Sequence, residues 1–125
     1  QNMPSAQQEA RREAYLRRST VHVDTALQDG DVIPCCGGIQ VLHTPGHTPG
    51  HICLYVKKAK TLVAGDGTVC ENGKLLGPNP IFTVDIPEAV DSLQKIAAYD
   101  IDTIICYHGG IVKGDIGKQI AEINK

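Results

Sequence analysis

Between residues 43 and 51 the chain reads His43-Thr-Pro-Gly-His47-Thr-Pro-Gly-His51, and no other segment narrows the possible folds as much. Each proline holds φ at about −65° and has no amide proton to donate, while each glycine lacks a Cβ. Two such steps in succession forbid a helix, so three of the five histidines are confined to a tight, rigid loop. Two apolar runs follow at once, Ile52–Val56 and Thr61–Gly65, separated by Lys57-Lys58-Ala59-Lys60. This pattern predicts a β-hairpin whose strands are apolar on both faces, as in a sheet covered by a layer on each side. If residues 57–60 close the hairpin, Val56 faces Thr61, and counting back places His51 opposite Asp66. The loop bearing His47 then lies beside Asp66 without any long-range assumption. Asp66 and His108 each come directly after a predicted strand, and a glycine follows each. Sheet proteins commonly place their chemistry at such strand ends.

The flanking segments predict an α/β layered arrangement with hairpin pairing, not a pure βαβ alternation. Ser5 and Gln8 have capping-box spacing and open a helix to about residue 18, with Tyr15 and Leu16 its only large apolar side chains. A helix that polar needs a surface to dock against. Residues 20–27 alternate as a strand would, residues 28–31 form a turn, and Gly37-Gly38 precedes a second strand at 39–43. Asp85-Ile-Pro-Glu88 predicts a capped helix start with an early proline. The helix that follows places Ile86, Val90, Leu93, Ile96 and Ala97 on one stripe facing a sheet. A buried strand at 103–107 and a closing helix at 116–123 complete the order. Residues 75–80 are read as a rigid connection to the Asp85 helix, in preference to a pocket wall.

A net charge of −2 excludes nucleic acid and acidic membrane surfaces as expected partners. The one basic cluster, Arg11, Arg12, Arg17 and Arg18, is interleaved with Glu9 and Glu13 and reads as a solvated helix face. No apolar run has the length of a membrane span and the start does not resemble a signal peptide. Five cysteines without framework spacing suit reduced thiols and a cytoplasmic location. All five, including the adjacent Cys35 and Cys36, are expected to be small buried or half-buried apolar residues.

Two imidazoles and a carboxylate suit a borderline metal such as Zn²⁺, with iron and manganese as competitors. Such an ion generates hydroxide near neutral pH and polarises a carbonyl. Taken singly, His47 and His51 read equally well as turn residues bonded to backbone. Taken with Asp66 and His108, the loop favours a metal site, because a buried carboxylate needs a partner.

The strings His43-Thr-Pro-Gly-His47-Thr-Pro-Gly-His51-Ile-Cys53, Leu62-Val-Ala-Gly-Asp66 and Ile105-Cys-Tyr-His108-Gly-Gly110 resemble the later metal-binding motifs of the metallo-β-lactamase superfamily. They look most like its branch of glyoxalase II-type thioesterases and lactonases, over about residues 20 to 125. The resemblance implies half of an αββα sandwich, a mixed sheet with flanking helices. Residues 1–18 would be a connector helix and residues 19–125 the C-terminal half of the domain. It implies that His47 binds a first metal, that Asp66 bridges two metals and that His108 binds the second. His51 would steady the loop from behind these ligands, and His43 would be structural. The resemblance assigns no residue of this chain a definite catalytic role apart from holding metal. The implied activity is metal-dependent hydrolysis of a small-molecule ester, thioester or lactone through a metal-bound hydroxide; a β-lactam fits less well.

The chain also departs from the family pattern. The His-x-His-x-Asp-His motif that supplies most other ligands is absent, and Val21-His22-Val23-Asp24 is its nearest counterpart. His22 and Asp24 are read instead as exposed neighbours. The expectation is therefore a two-zinc site in an intact parent, partial or absent in this chain, which would be inactive alone. An uncovered sheet edge and apolar face would drive homo-oligomerisation or association with a missing N-terminal half. Two further readings remain: a non-catalytic half-domain serving assembly or metal binding, and one half of a split enzyme.

Overall fold

The computed structural model describes residues 5–18 and 21–123. Along the chain run α1 (Ala6–Arg18), β1 (Val32–Ile33), β2 (Ile39–His43), β3 (Ile52–Val56), β4 (Thr61–Gly65), β5 (Val69–Glu71), β6 (Lys74–Gly77), α2 (Ile86–Ile96), β7 (Thr103–Cys106), β8 (Gly110–Lys113) and α3 (Ile116–Ile123). The β3–β4 hairpin forms in the expected register, with Val56 opposite Thr61 and Leu54 opposite Val63. A short 3₁₀ turn at Lys57–Ala59 closes it, and Lys60 takes a left-handed conformation to re-enter the sheet. Six strands form one sheet in the order β1-β2-β3-β4-β7-β8, and β5 and β6 form a separate ribbon. Every neighbouring pair is antiparallel except β4 and β7, which are parallel.

The sheet's two faces differ. One carries Leu42, Cys53, Tyr55, Leu62, Ala64, Ile104, Cys106 and Val112, all buried beneath Leu93 and Ile96 of α2 and Ile116 and Ile120 of α3. The other carries Ile39, Val41, Leu54, Val63, Ile105 and Ile111. Of these only Val41 is fully buried, and Ile111 is exposed. The expectation of a sheet covered on both sides is thus met on one face, while the other is half-open.

Helix α2 begins as expected, with the Asp85 carboxylate accepting the Glu88 N–H at 3.0 Å. Its buried residues are Ala89, Ser92, Leu93 and Ile96, whereas Ile86 is exposed, so the buried stripe is rotated from the expected one. The cause lies outside the helix: Ala89 sits against Gly46, and the Ser92 hydroxyl donates to the Pro45 carbonyl at 2.7 Å. The capping box at Ser5 is reciprocal, since each backbone N–H of Ser5 and Gln8 donates to the other's side chain.

Two expectations are corrected, and three short strands are added. The described part of the predicted strand at 20–27, residues 21–27, is irregular and exposed; Thr20 lies outside the described residues. Alternation makes a strand only where a neighbour offers an edge, and β1 together with Gly30 and Asp31 already occupies the free edge of β2. The β5–β6 ribbon and β8 were not anticipated, because both begin in glycine-rich turns. Cys35 and Cys36 are exposed; Cys53, Cys70 and Cys106 are buried as expected. No described helix is long and apolar enough to cross a membrane.

Candidate functional site

The histidine loop is tied down from within and from outside. Within it, Thr44 N–H donates to the His51 carbonyl at 2.9 Å and Gly46 N–H to the Thr48 carbonyl at 3.1 Å. His43 Nε2 lies 2.9 Å from the Pro49 carbonyl, in keeping with the structural part expected for that side chain. From outside, Val84 N–H donates to the His47 carbonyl and Asp85 N–H to the Gly46 carbonyl, at 3.3 and 2.9 Å. His47 therefore starts from an anchored backbone on both sides.

His51 turns its ring inward. Its Nε2 accepts the Asp66 backbone N–H at 3.2 Å, which leaves the proton on Nδ1, beside the Thr44 hydroxyl at 2.9 Å and the Thr44 carbonyl at 3.2 Å. Burial lowers the pKa of this imidazole, against the raising effect of the Thr44 hydrogen bond. The ring fits because glycines flank Asp66. A Cβ at Gly65 would lie 3.0 Å from His51 Nε2, and one at Gly67 3.2 Å from its Cε1. The Gly-Asp-Gly sequence is thus a recess shaped around His51.

His108 arrives from the far side of the parallel β4–β7 pair. Tyr107 N–H donates to the Gly65 carbonyl at 3.0 Å, and Cys70 N–H to the His108 carbonyl at 3.2 Å. Gly109, at φ +105°, packs so closely on the Cys70 carbonyl that any Cβ there would overlap it. The geometry brings the three expected residues together around one carboxylate. His47 Nε2 lies 3.5 Å from Asp66 Oδ2, and His108 Nε2 lies 3.3 Å from Asp66 Oδ1. Asp66 Oδ1 is buried and accepts no hydrogen bond.

An orphaned carboxylate oxygen between two imidazoles is costly unless a cation completes it. Two ligands at tetrahedral positions on one zinc ion stand about 3.4 Å apart, so each His–Asp pair has the separation a shared ion requires. Among the described residues, however, no group of three His, Cys, Asp or Glu side chains closes on a single point. The donors form two pairs that share Asp66. His22 and Asp24 instead pair with each other at 3.1 Å, both almost fully exposed.

A cavity of about 300 Å³ opens at this point, lined by His47, Asp66 and His108 together with Val69, Asn79 and Phe82. Residues 75–80, expected to be a connection alone, contribute to a wall through Asn79. Sequence reading missed Val69, Asn79 and Phe82. The available signal was the Gly77-Pro-Asn-Pro80 turn, followed by the chain's single phenylalanine.

Residues 3–108 match the sequence family described as the metallo-β-lactamase superfamily. The chain is 33% identical over 99 residues to the probable metallo-hydrolase YflN of Bacillus subtilis (strain 168), a match covering 70% of this chain and 37% of that protein. It is 32% identical over 88 residues to a hydroxyacylglutathione hydrolase of Chelativorans sp. (strain BNC1), covering 69% of this chain and 32% of that protein. The fold resembles the metallo-β-lactamase family protein TTHA1429 from Thermus thermophilus with a TM-score of 0.64 and 24% identity, over 96% of this chain and 45% of that one. It also resembles TTHA1623, solved in a di-iron-bound form, with a TM-score of 0.58 and 24% identity, over 74% of this chain and 44% of that one. The chain thus spans less than half the length of each of these proteins.

Proposed function

Because the chain belongs to the metallo-β-lactamase superfamily, we propose that it carries one side of a two-metal hydrolase site for an ester, thioester or lactone, with His47, Asp66 and His108 as ligands. The observation that carries this reading is the half-buried Asp66 carboxylate between two imidazoles, with its buried Oδ1 accepting no hydrogen bond. The name of the hydroxyacylglutathione hydrolase relative points to a thioester as its own substrate, and we extend that substrate class to this chain.

Zinc fits the donor set best, with iron or manganese as alternatives. Metal ions held there would supply an acidified water and a Lewis acid for the substrate carbonyl. The chain's own residues do the positioning. Asp66 turns Oδ2 toward His47 and Oδ1 toward His108, so it would be the donor shared between the two histidines. His51 fixes the Asp66 main chain, and the Val84 and Asp85 amides fix the loop of His47. Only two of these donors would face each ion, whereas a catalytic zinc usually has three protein ligands. Binding by this chain alone is therefore weak, and the remaining donors come from elsewhere. The half-open sheet face gives a place for an associating layer, either a complementary upstream half or a second copy.

The test combines elemental analysis with light scattering on the purified chain, with His47→Ala as control. Zinc or iron near stoichiometry, lost on substitution and found in an associated species, supports the reading. Hydrolysis of thioesters and lactones by that species would complete it. A chain that takes up no zinc even at a large excess, or whose uptake survives His47→Ala, sinks it. That result would favour a second reading, a non-catalytic half-domain, to which the lack of any three-donor cluster among the described residues already points.

A further inference from the structure

The lining of the site cavity is of two chemical kinds. His47, Asp66 and His108 are ionisable, Val69 and Phe82 are apolar, and Asn79 is neutral and polar. Phe82 is 67% exposed although it lines a cavity, and its neighbours Ile81 and Val84 are 83% and 76% exposed. Apolar side chains are seldom left exposed together unless something covers them.

The segment that carries them is built, not loose. Asn79 organises it: its side-chain oxygen accepts the Ile81 N–H at 3.0 Å, and its carbonyl accepts the Phe82 N–H at 3.2 Å and the Thr83 hydroxyl at 2.6 Å. Two residues further on, the Val84 and Asp85 amides are bonded to the His47 and Gly46 carbonyls. The aromatic wall and the His47 loop thus share one hydrogen-bonded seam, and the distance between the two is set by backbone contacts. Among the described residues no lysine or arginine lines the cavity, so no cationic side chain there awaits an anionic substituent.

We propose that Phe82 and Val69 form the acyl-binding wall of the site, so that the substrate is an ester or thioester with an uncharged, apolar acyl chain and not an acetyl or carboxylated one. This builds on the hydrolase reading above and names the substrate class for it. A carbonyl at the histidine–aspartate cluster leaves its acyl substituent directed along the remaining cavity, against the phenyl ring. Phe82 sets specificity through contact area, which grows with each methylene laid on it.

The experiment uses the metal-free chain, so that probes are bound without turnover. Straight-chain N-acetylcysteamine thioesters from acetyl to octanoyl are titrated against protein labelled in phenylalanine, where Phe82 supplies the only ring signals. The expected result is a Kd that falls about fourfold per added methylene until the cavity is filled, with the Phe82 signals shifting in step. Phe82→Ala should reduce the whole series to less than a twofold spread, and Phe82→Leu should keep part of the slope. The exposure of Phe82 means that both variants fold, which their amide spectra would check. A flat series in the unsubstituted chain, or a slope that survives Phe82→Ala, overturns the proposal. A parallel zinc titration separates the two readings. A length-dependent slope with no zinc uptake even at a large excess leaves the acyl wall standing and removes the hydrolase, whereas zinc uptake with a flat series removes the acyl wall alone.

Discussion

His51 Nε2 accepts the backbone N–H of Asp66 at 3.2 Å, so one histidine of the repeated loop holds the main chain of the carboxylate that faces His47 and His108. In the proposed metal site this side chain would act through Asp66 and not as a ligand itself. Replacing it should therefore weaken metal binding without removing a donor. His51→Ala is expected to cost about 1–3 kcal/mol of stability, because a half-buried amide loses its acceptor. Zinc affinity should fall about tenfold or more, as for other residues that orient ligands. Chemical denaturation and zinc titration of the same preparation would check this, and unchanged values in both would remove the positioning role.

The two Thr-Pro-Gly steps are identical in sequence and unequal in structure. Gly46, at φ +140°, lies against α2, where a Cβ would come within 2.3 Å of the Ala89 Cα. Gly50 has open space around it and no positive φ. Gly46→Ala should destabilise by about 3 kcal/mol or more, since backbone would have to move. Gly50→Ala should stay within about 0.5 kcal/mol of the parent. Equal melting curves for the two variants would contradict the docking of α2 on this loop.

The cysteines should fall into two kinetic classes. Burial pushes the Cys53 thiol up to about 11 and the Cys106 thiol up to about 12, and Cys70 is buried beside Cys106. Cys35 and Cys36 are exposed, although the contact between their thiols raises that of Cys35. A disulfide reagent at pH 8 should modify these two quickly, with the other three following only on unfolding. Five thiols reacting in one phase under native conditions would count against the packing.

A fourth expectation concerns acid. The His43 N–H, and next the Lys95 ammonium, hold the Asp29 carboxyl below its usual range, at 2.8 and 2.9 Å. A carboxylate held low favours the folded state above its unfolded value of about 3.9, and that contribution disappears as the pH falls through the lower folded value. Asp29 is half exposed, so the effect at neutral pH is modest, on the order of 0.5 kcal/mol. Asp29→Asn should be less stable than the parent at pH 7 by that amount, and the gap should close as the pH falls below about 4. A gap that widened on acidification would reverse the assignment.

How much was legible in advance follows from the sequence separation of the contacts. His51 opposite Asp66 could be counted out because a four-residue loop joins the two strands, and the residue pattern carried the register. The Asp85 cap and the Ser5–Gln8 box were equally legible, each complete within four residues. The strand expected at 20–27 failed for the opposite reason: its alternation said nothing about whether a sheet edge was free. Phe82 was not recognised because only the fold brings its turn beside Val69 and His108.

By itself the sequence determined the stiffness of the histidine loop, the hairpin register and the helix starts. These depend on proline and glycine dihedrals, on period-two patterning and on caps that span a few residues. Tertiary structure alone decided the rest. Parallel pairing of Leu62 with Ile104 carries His108 to Asp66 across more than forty positions, and contact with Gly46 sets the rotation of α2. The same packing buries one sheet face and leaves the other half-open. Such outcomes depend on which distant surfaces meet, and no local pattern of residues encodes that meeting.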